Sequence, residues 1–265
     1  NQDKHYSDVR VRKACAWYID QAKVNEIGWD NAGTVTQYPF PDYPGILKYF
    51  EHPEIKAILD EANVLGYAPE KADDLMKEAG YEKDSEGFWV KDGERPDAAI
   101  VASASLFGDI APIIAEMLVQ AGFDSSHATP PELWTLMSQG DAKVFMQGHG
   151  GSVKDPFFTY DLYHGSRVTG DEIGPNNGNA GRWANARFDE VVDQMSQTSP
   201  DDFEAMLPLV KEATQIWYEN LPEVPMVQWY HRIAMNTTYW DNWPTGDNLY
   251  INGAPWHLTQ PMIYW

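Results

Sequence analysis

The apolar positions of this chain alternate between helix spacing and strand spacing. Apolar residues at 110, 113, 114, 117, 118 and 121 recur every three or four positions, which predicts a helix over 109–121 capped by Asp109. Similar spacing predicts helices over 131–139, 188–197 and 201–219, and short apolar runs predict strands at 98–103 and 143–146. This alternation predicts an α/β fold with a mixed central sheet and flanking helices.

The amino-terminal third is less regular. Residues 8–23 are apolar on most sides, which predicts a helix buried in a larger body. The glycines and prolines of 28–53 predict a long loop. A short helix is then expected to begin at Pro69 and end at Gly80, followed by a hairpin over 87–94 that turns at Asp92-Gly93.

Tryptophan is unusually frequent, with eleven in 265 residues. An exposed indole suits a ligand with C–H faces and many hydroxyls, or a peptide with varied side chains. Packing in the core is the commoner role for any single tryptophan. We expect some of the later ones to be surface platforms: Trp183, Trp217, Trp229, Trp240, Trp243, Trp256 and Trp265.

Charge and motifs narrow the functional classes. The 19 basic and 40 acidic residues give a net charge of −21, which disfavours binding to nucleic acid or to an anionic membrane surface. A single cysteine, Cys15, rules out an intrachain disulfide, and no apolar run is long enough to span a membrane. The seven histidines lack metal-ligand spacing, and there is neither a nucleophile elbow nor a phosphate loop. We therefore expect no catalysis, no metal and no cofactor.

A glycine-rich polar segment, residues 146–156, follows the predicted strand 143–146. Such a loop presents backbone amides at the carboxyl end of a strand, where open α/β sheets bind ligands. An ordinary flexible turn is the alternative interpretation.

Three stretches, residues 7–20, 66–81 and 182–189, resemble the family 5 extracellular solute-binding proteins of bacterial ABC importers, the dipeptide- and oligopeptide-binding type. The hairpin, the helix that ends in Gln120-Ala-Gly-Phe123 and the segment 219–227 follow in the order expected for that family. The resemblance implies a lobe of the type II periplasmic-binding-protein fold. It also implies that the protein binds a solute without turning it over. The alternative hypothesis is a glycoside hydrolase or a carbohydrate-binding module of one.

Members of that family are about twice as long, so the resemblance implies that this chain is a C-terminal half. Residues 1–225 would form the C-terminal ligand-binding lobe, and 226–265 an aromatic-rich tail that returns towards the hinge and a missing N-terminal lobe. Two such lobes would close on a small solute and deliver it to ABC permease subunits in the membrane. The expected location is the periplasm, or the cell surface through a lipid anchor on the missing part. Alone, this half would bind its solute weakly.

The resemblance also bears on the ligand. Peptide-binding members carry an Asp four residues before the proline of this loop, and counting back from Pro156 gives Ser152, although a shifted alignment would bring Asp155 into play. A hydroxyl cannot neutralise a buried ammonium but suits sugar hydroxyls. Residues 239–250 also resemble the Asn-Trp-Pro-Thr segment of oligosaccharide-binding members, which favours an oligosaccharide over an oligopeptide. The expected ligand-binding residues are His149, Ser152, Lys154, Trp183, Trp229, Tyr230, Trp240 and Trp243.

Overall fold

The computed structural model describes residues 3–148, 152–168, 179–230, 234–239, 241–245 and 247–248. Its helices are α1 Val9–Tyr18, α2 Gln21–Trp29, α3 Pro44–Phe50, α4 Pro53–Ala62, α5 Pro69–Glu78, α6 Ala104–Phe107, α7 Ala111–Ala121, α8 Leu133–Gln139, α9 Phe157–Asp161, α10 Ala186–Ser196 and α11 Phe203–Asn220, with a 3₁₀ turn at Gly165–Arg167. Its strands are β1 Thr34–Val35, β2 Glu82–Lys83, β3 Trp89–Val90, β4 Asp97–Val101, β5 Asp124–Ala128, β6 Val144–Phe145 and β7 Val227–Gln228.

The central sheet has the order β5-β4-β6, and these three strands run parallel. In the register of the sheet, Val101 pairs with both Ala128 and Phe145, so the three strands end in one row. Helix α7 joins β4 to β5 and packs against both strands. The predicted α/β class is confirmed, and the two predicted strands correspond to β4 and β6. The sheet was expected to be mixed, whereas its strands within the described residues are all parallel.

Two hydrophobic cores lie on either side of α1. The first joins α1, α5 and α7 to the central sheet, and the second joins α3, α4, α10 and α11. Val11, Ala14 and Tyr18 of α1 are buried in the first core, whereas Ala16 is buried in the second. The prediction of a helix buried in a larger body is therefore confirmed.

Several predicted boundaries were wrong because caps and prolines act locally. The helix expected over 8–23 is two helices, since Asp20 is extended and its carboxylate accepts the Lys23 N–H at 3.1 Å to begin α2. The loop expected over 28–53 contains α3, and both α3 and α4 start at a proline, which is tolerated in the first turn. Asp109 does not cap α7, which begins at Ala111 after Ile110.

The predicted turn at Asp92-Gly93 is confirmed. Both residues have positive φ, 54° and 80°, and Lys91 and Glu94 form a bridge across them. The larger pairing lies elsewhere, because β2 pairs with β3 around a turn at 84–87. The Asp84 carboxylate closes that turn by accepting the N–H groups of Glu86 and Phe88.

The start of the predicted tail is tied to the lobe. Strand β7 pairs antiparallel with β1, with Thr34 opposite Gln228 and Val35 opposite Val227. The side chain of Asn25 holds β1 in place by bonding both backbone groups of Gly33, at 3.0 and 3.1 Å. The division of the chain at residue 225 stays a prediction.

Stability is expected to fall as the pH drops below about 6.5, in part because of His5. His5 is buried, its Nδ1 lies 2.7 Å from the Tyr81 hydroxyl, and burial lowers its pKa against the opposing effect of Asp3. The unfolded chain therefore takes up this proton first as the pH falls, which favours unfolding until the folded pKa is passed. Urea unfolding at pH 7.5 and at pH 5.5 measures how much the free energy of unfolding falls between the two. This fall should be smaller for His5→Gln than for wild type. The exposed His127→Gln should match wild type, and an equal loss in both variants would contradict the assignment to His5.

Candidate functional site

The carboxyl edge of the central sheet gathers three chain segments. Because Val101, Ala128 and Phe145 lie in one row, the residues that follow β4, β5 and β6 leave the sheet side by side. The hydrogen bonds continue one step further, from Ala102 N–H to the Ala128 carbonyl and from Met146 N–H to the Val101 carbonyl. Ligands of open α/β sheets bind at this edge. We call the region where these three segments leave the sheet the carboxyl edge.

An aromatic cluster of Trp29, Phe107 and Trp229 stands beside the segments after β4 and β6. Trp229 directly follows β7, so the β1–β7 pairing fixes where it lies. Its ring centroid is 5.6 Å from that of Phe107 and 6.4 Å from that of Trp29, both edge to face. Both distances fall in the favourable range for aromatic pairs, so the indole is held in place by packing.

Gly148 brings the loop after β6 into contact with Trp229. A Cβ at this position would lie only 2.0 Å from Cη2 of the Trp229 ring. A side chain would therefore push the indole and the loop apart. The glycine-rich segment thus joins the end of β6 to the aromatic cluster.

Uncharged hydroxyl groups accompany these rings. Ser103 and Ser105, directly after β4, have their Oγ atoms 3.2 Å apart. The Tyr230 hydroxyl lies 2.6 Å from the Thr34 Oγ1 across the β1–β7 pair, and the Tyr230 side chain is 52% exposed. Ser103 and Ser105 therefore bring hydroxyl donors and acceptors to the carboxyl edge, and the Tyr230–Thr34 pair lies on the β1–β7 sheet that carries Trp229.

A partly buried tyrosine, Tyr38, fixes the chain just beyond β1. The Tyr38 hydroxyl donates to Asp42 at 2.8 Å, and its ring stacks on Phe50 with centroids 4.8 Å apart. Burial is the main cause that raises the pKa of Tyr38 well above its usual value, and the hydrogen bond to Asp42 is the second. The phenol is therefore neutral at physiological pH, and the contact is structural.

The structure separates the expected ligand-binding residues. Trp229 lies beside the carboxyl edge through its contact with Gly148, and Tyr230 is the next residue of the chain. Trp183 is only 6% exposed and packs edge-on against Phe188 at 4.9 Å in the second core, so the expectation of a surface platform was wrong. Trp217, also considered as a platform, is fully buried in the same core.

The polar residues of the loop also have structural roles. Ser152 is 1% exposed, and its Oγ accepts the Thr159 N–H at 3.0 Å, which secures the start of α9. Lys154 pairs with Asp201 at 3.1 Å, on the surface beside the second core. The alternative residue Asp155 accepts the Phe157 N–H at 2.8 Å. The expectation that Ser152 presents its hydroxyl to a ligand is therefore corrected, because that oxygen is buried and bonded.

Most of the remaining residues that were expected to bind a ligand or to form surface platforms lie outside the described residues: His149, Trp240, Trp256 and Trp265. Trp243 is half-buried, and within the described ranges its indole nitrogen has no hydrogen-bond partner. In the same part of the chain, no group of acidic, histidine or cysteine side chains could hold a metal ion. No described helix combines the length and the apolar character needed to cross a membrane.

Sequence reasoning missed several residues of the carboxyl edge. Ser103 and Ser105 could have been found, because they follow a predicted strand just as the glycine-rich segment does. Trp29 and Thr34 carried no such signal. They reach this edge through the β1–β7 pairing, which joins residues about 190 positions apart in the chain.

Comparisons with known proteins fit this architecture. The family described as bacterial extracellular solute-binding proteins, family 5 Middle, matches residues 1–171. Heme-binding protein A of Haemophilus influenzae is 25% identical over 224 residues, and di/tripeptide-binding protein 2 of Pseudomonas aeruginosa is 25% identical over 225. Each alignment covers 83% of this chain but 36% and 37% of those relatives. The chain therefore spans little more than a third of their length.

Solved structures share the fold at lower identity. The periplasmic oligopeptide-binding protein of Thermotoga maritima, solved with mannohexaose, has a TM-score of 0.76 at 20% identity, covering 94% of this chain and 46% of its own. NikZ of Campylobacter jejuni, solved with Ni(L-His), has a TM-score of 0.68 at 21% identity, covering 86% and 43%. AppA of Bacillus subtilis, solved with a nonapeptide, has a TM-score of 0.66 at 18% identity, with the same coverage. Since the family match spans more than half of its residues, this chain belongs to family 5 of the bacterial extracellular solute-binding proteins.

Proposed function

We propose that this chain is the solute-binding part of an ABC importer and holds an oligosaccharide at the carboxyl edge without turning it over. The observation that carries this proposal is the contact of Trp229 with Gly148 after β6 and with Phe107 on the helix after β4. The hydroxyls of Ser103 and Ser105 precede Phe107 in the chain, and the bonded hydroxyls of Tyr230 and Thr34 follow from Trp229 along β7 and β1. Aromatic faces and neutral hydroxyls are the groups that a sugar requires. Family membership supports solute capture, rather than catalysis, as the role of this surface.

The charge of the carboxyl edge favours a neutral ligand. A peptide brings an α-ammonium, which needs a carboxylate partner once it is removed from water. The side chains that carry the proposal are uncharged, and Ser152 is buried. The mannohexaose bound by the Thermotoga neighbour supports the sugar.

A peptide is the second candidate. The name of the Pseudomonas relative and the nonapeptide bound by the Bacillus neighbour favour it. The exposed acids Asp30 and Asp109 adjoin the edge along the chain and are the groups that would receive an ammonium.

Delivery completes the proposed role. An open edge leaves one side of the ligand in water, so a second lobe that closes over it would complete the site. The closed form would then dock on permease subunits in the membrane, and the protein would work outside the cytoplasm, in the periplasm or attached to the cell surface. Membership of an extracellular solute-binding family supports this location.

Trp229→Ala is expected to weaken mannohexaose binding by about 1–3 kcal/mol, since it removes the stacking surface. Isothermal calorimetry and the tryptophan fluorescence change would measure the affinity, with circular dichroism to check the fold. Tyr239→Ala is the matched control, because Tyr239 is an aromatic residue of the same tail that is 85% exposed. Unchanged affinity in Trp229→Ala would contradict the proposed site.

Two further measurements separate the alternatives. Binding of short peptides without any response to mannohexaose would replace the sugar by a peptide, and Asp30→Asn and Asp109→Asn would then show which acid receives the ammonium. Chromatography of the sugar after incubation tests for turnover. Shortened products would overturn the non-catalytic role.

A further inference from the structure

Trp134 belongs to neither of the two hydrophobic cores. It is the second residue of α8, and its side chain is 41% exposed, whereas Leu133 and Met137 of the same helix are buried. Those two residues attach α8 to the protein, so the indole is not needed to fix the helix. Exposing so large an apolar surface costs free energy in water, which calls for another use of this side chain.

The place of α8 in the fold suggests that use. Helix α8 follows β5, and the Leu133 N–H bonds the Pro130 carbonyl at 3.2 Å, so the chain turns into the helix directly after the strand. Only five residues separate Ala128, the last residue of β5, from Trp134. The first turn of α8 therefore stands at the same carboxyl edge as the loops after β4 and β6.

The strand order sets the spacing along this edge. Strands β5 and β6 lie on opposite sides of β4, so two strand spacings, about 10 Å, separate the segments that follow them. Trp134 follows the outer strand on one side, and Trp229 contacts Gly148 after the outer strand on the other. Ser103, Ser105 and the exposed Leu106 lie on the segment between, after β4.

We propose that Trp134 forms a distal subsite that stacks on the far units of an extended oligosaccharide and so makes affinity depend on ligand length. This inference rests on the proposed function, which places the near end of the ligand at Trp229. A disaccharide held at Trp229 is too short to span the edge and leaves Trp134 in water. A longer chain lies across the hydroxyls after β4 and reaches the second indole.

The experiment is a length series from mannobiose to mannohexaose, titrated into the wild-type chain and its variants by calorimetry. Wild-type affinity should rise with length, and Trp134→Ala should weaken mannohexaose binding roughly tenfold, the effect of one lost stacking contact. The same variant should bind mannobiose as wild type does. Trp134→Phe, which keeps a smaller ring, should recover part of the loss, and Phe158→Ala, at an exposed phenylalanine of α9, should match wild type at every length.

Three outcomes would overturn the distal subsite. If Trp134→Ala leaves the affinity unchanged, or weakens the binding of every oligosaccharide equally, Trp134 does not make affinity depend on ligand length. In either case, weaker binding of oligosaccharides of every length by Trp229→Ala would still support the proposed function. If no member of the series binds the wild-type chain, the proposed ligand class and the distal subsite both fail.

Discussion

Trp217→Ala is expected to lower the free energy of unfolding by about 3–5 kcal/mol. Trp217 is completely buried in the second core, on α11. Its ring lies edge to face against Tyr163 at 5.7 Å and against Tyr218 at 4.9 Å. In the described part of the chain its indole nitrogen has no hydrogen-bond partner, so the loss arises from packing and from the cavity left behind.

Urea unfolding followed by circular dichroism measures this loss. Trp134→Ala is the matched control, since it removes the same side chain from an exposed position and should change stability by no more than about 0.5 kcal/mol. A loss below about 1 kcal/mol in Trp217→Ala would show that the second core repacks around the gap, contrary to the close packing expected of a protein interior.

The contrast between these two tryptophans shows what the sequence alone could not supply. Both belong to helices, and residue type does not distinguish a core indole from an exposed one. Trp217 is buried because α11 packs against the neighbouring helix α10 and also against α4, which is distant in the chain. Trp183 was misjudged for the same reason, since its burial depends on Phe188 and the second core.

Helices with strong apolar spacing were predictable. Helices α10 and α11 lie close to their predicted ranges, because Asn185 and Asp202 cap their first turns as local chemistry requires. Strand β5 was missed. Its sequence, Asp-Ser-Ser-His-Ala, has no apolar alternation, and it forms through pairing with β4 and a 2.9 Å bond from the Ser125 hydroxyl to the Ala98 carbonyl.

The candidate site was predictable in its principle and only partly in its residues. The glycine-rich segment after β6 was identified from the rule that ligands bind at the carboxyl ends of parallel strands. The hydroxyl of Ser152 could not be placed from the sequence, since its hydrogen bond to Thr159 depends on how the loop folds back onto α9. Trp229 packs against Gly148 at the start of this segment, and its contact with a ligand stays a prediction.

A partly buried arginine, Arg12, ties helix α1 to the end of helix α11. The Arg12 guanidinium donates to the backbone carbonyls of Leu221 at 2.9 Å and Ser7 at 3.0 Å, and it also bonds those of Tyr6 and Asn220. Helix α11 ends at Asn220, so the cation satisfies terminal carbonyls and faces the negative end of the helix dipole. Burial lowers the pKa of Arg12 to about 10, which keeps the guanidinium charged at neutral pH.

Arg12→Met is therefore expected to lower the free energy of unfolding by about 2–4 kcal/mol, because it leaves partly buried carbonyls without this donor while roughly keeping the side-chain length. Arg10→Met is the matched control on the same helix: the Arg10 side chain is 43% exposed and pairs with its near neighbour Asp8, so its loss should stay below about 1 kcal/mol. Arg12→Lys should fall between them, since an ammonium lacks the planar fork that reaches several carbonyls at once. Urea unfolding at neutral pH measures all three. Equal losses in Arg10→Met and Arg12→Met would show that the carbonyls at the end of α11 find other donors or water, and that the link between α1 and α11 depends on apolar packing alone.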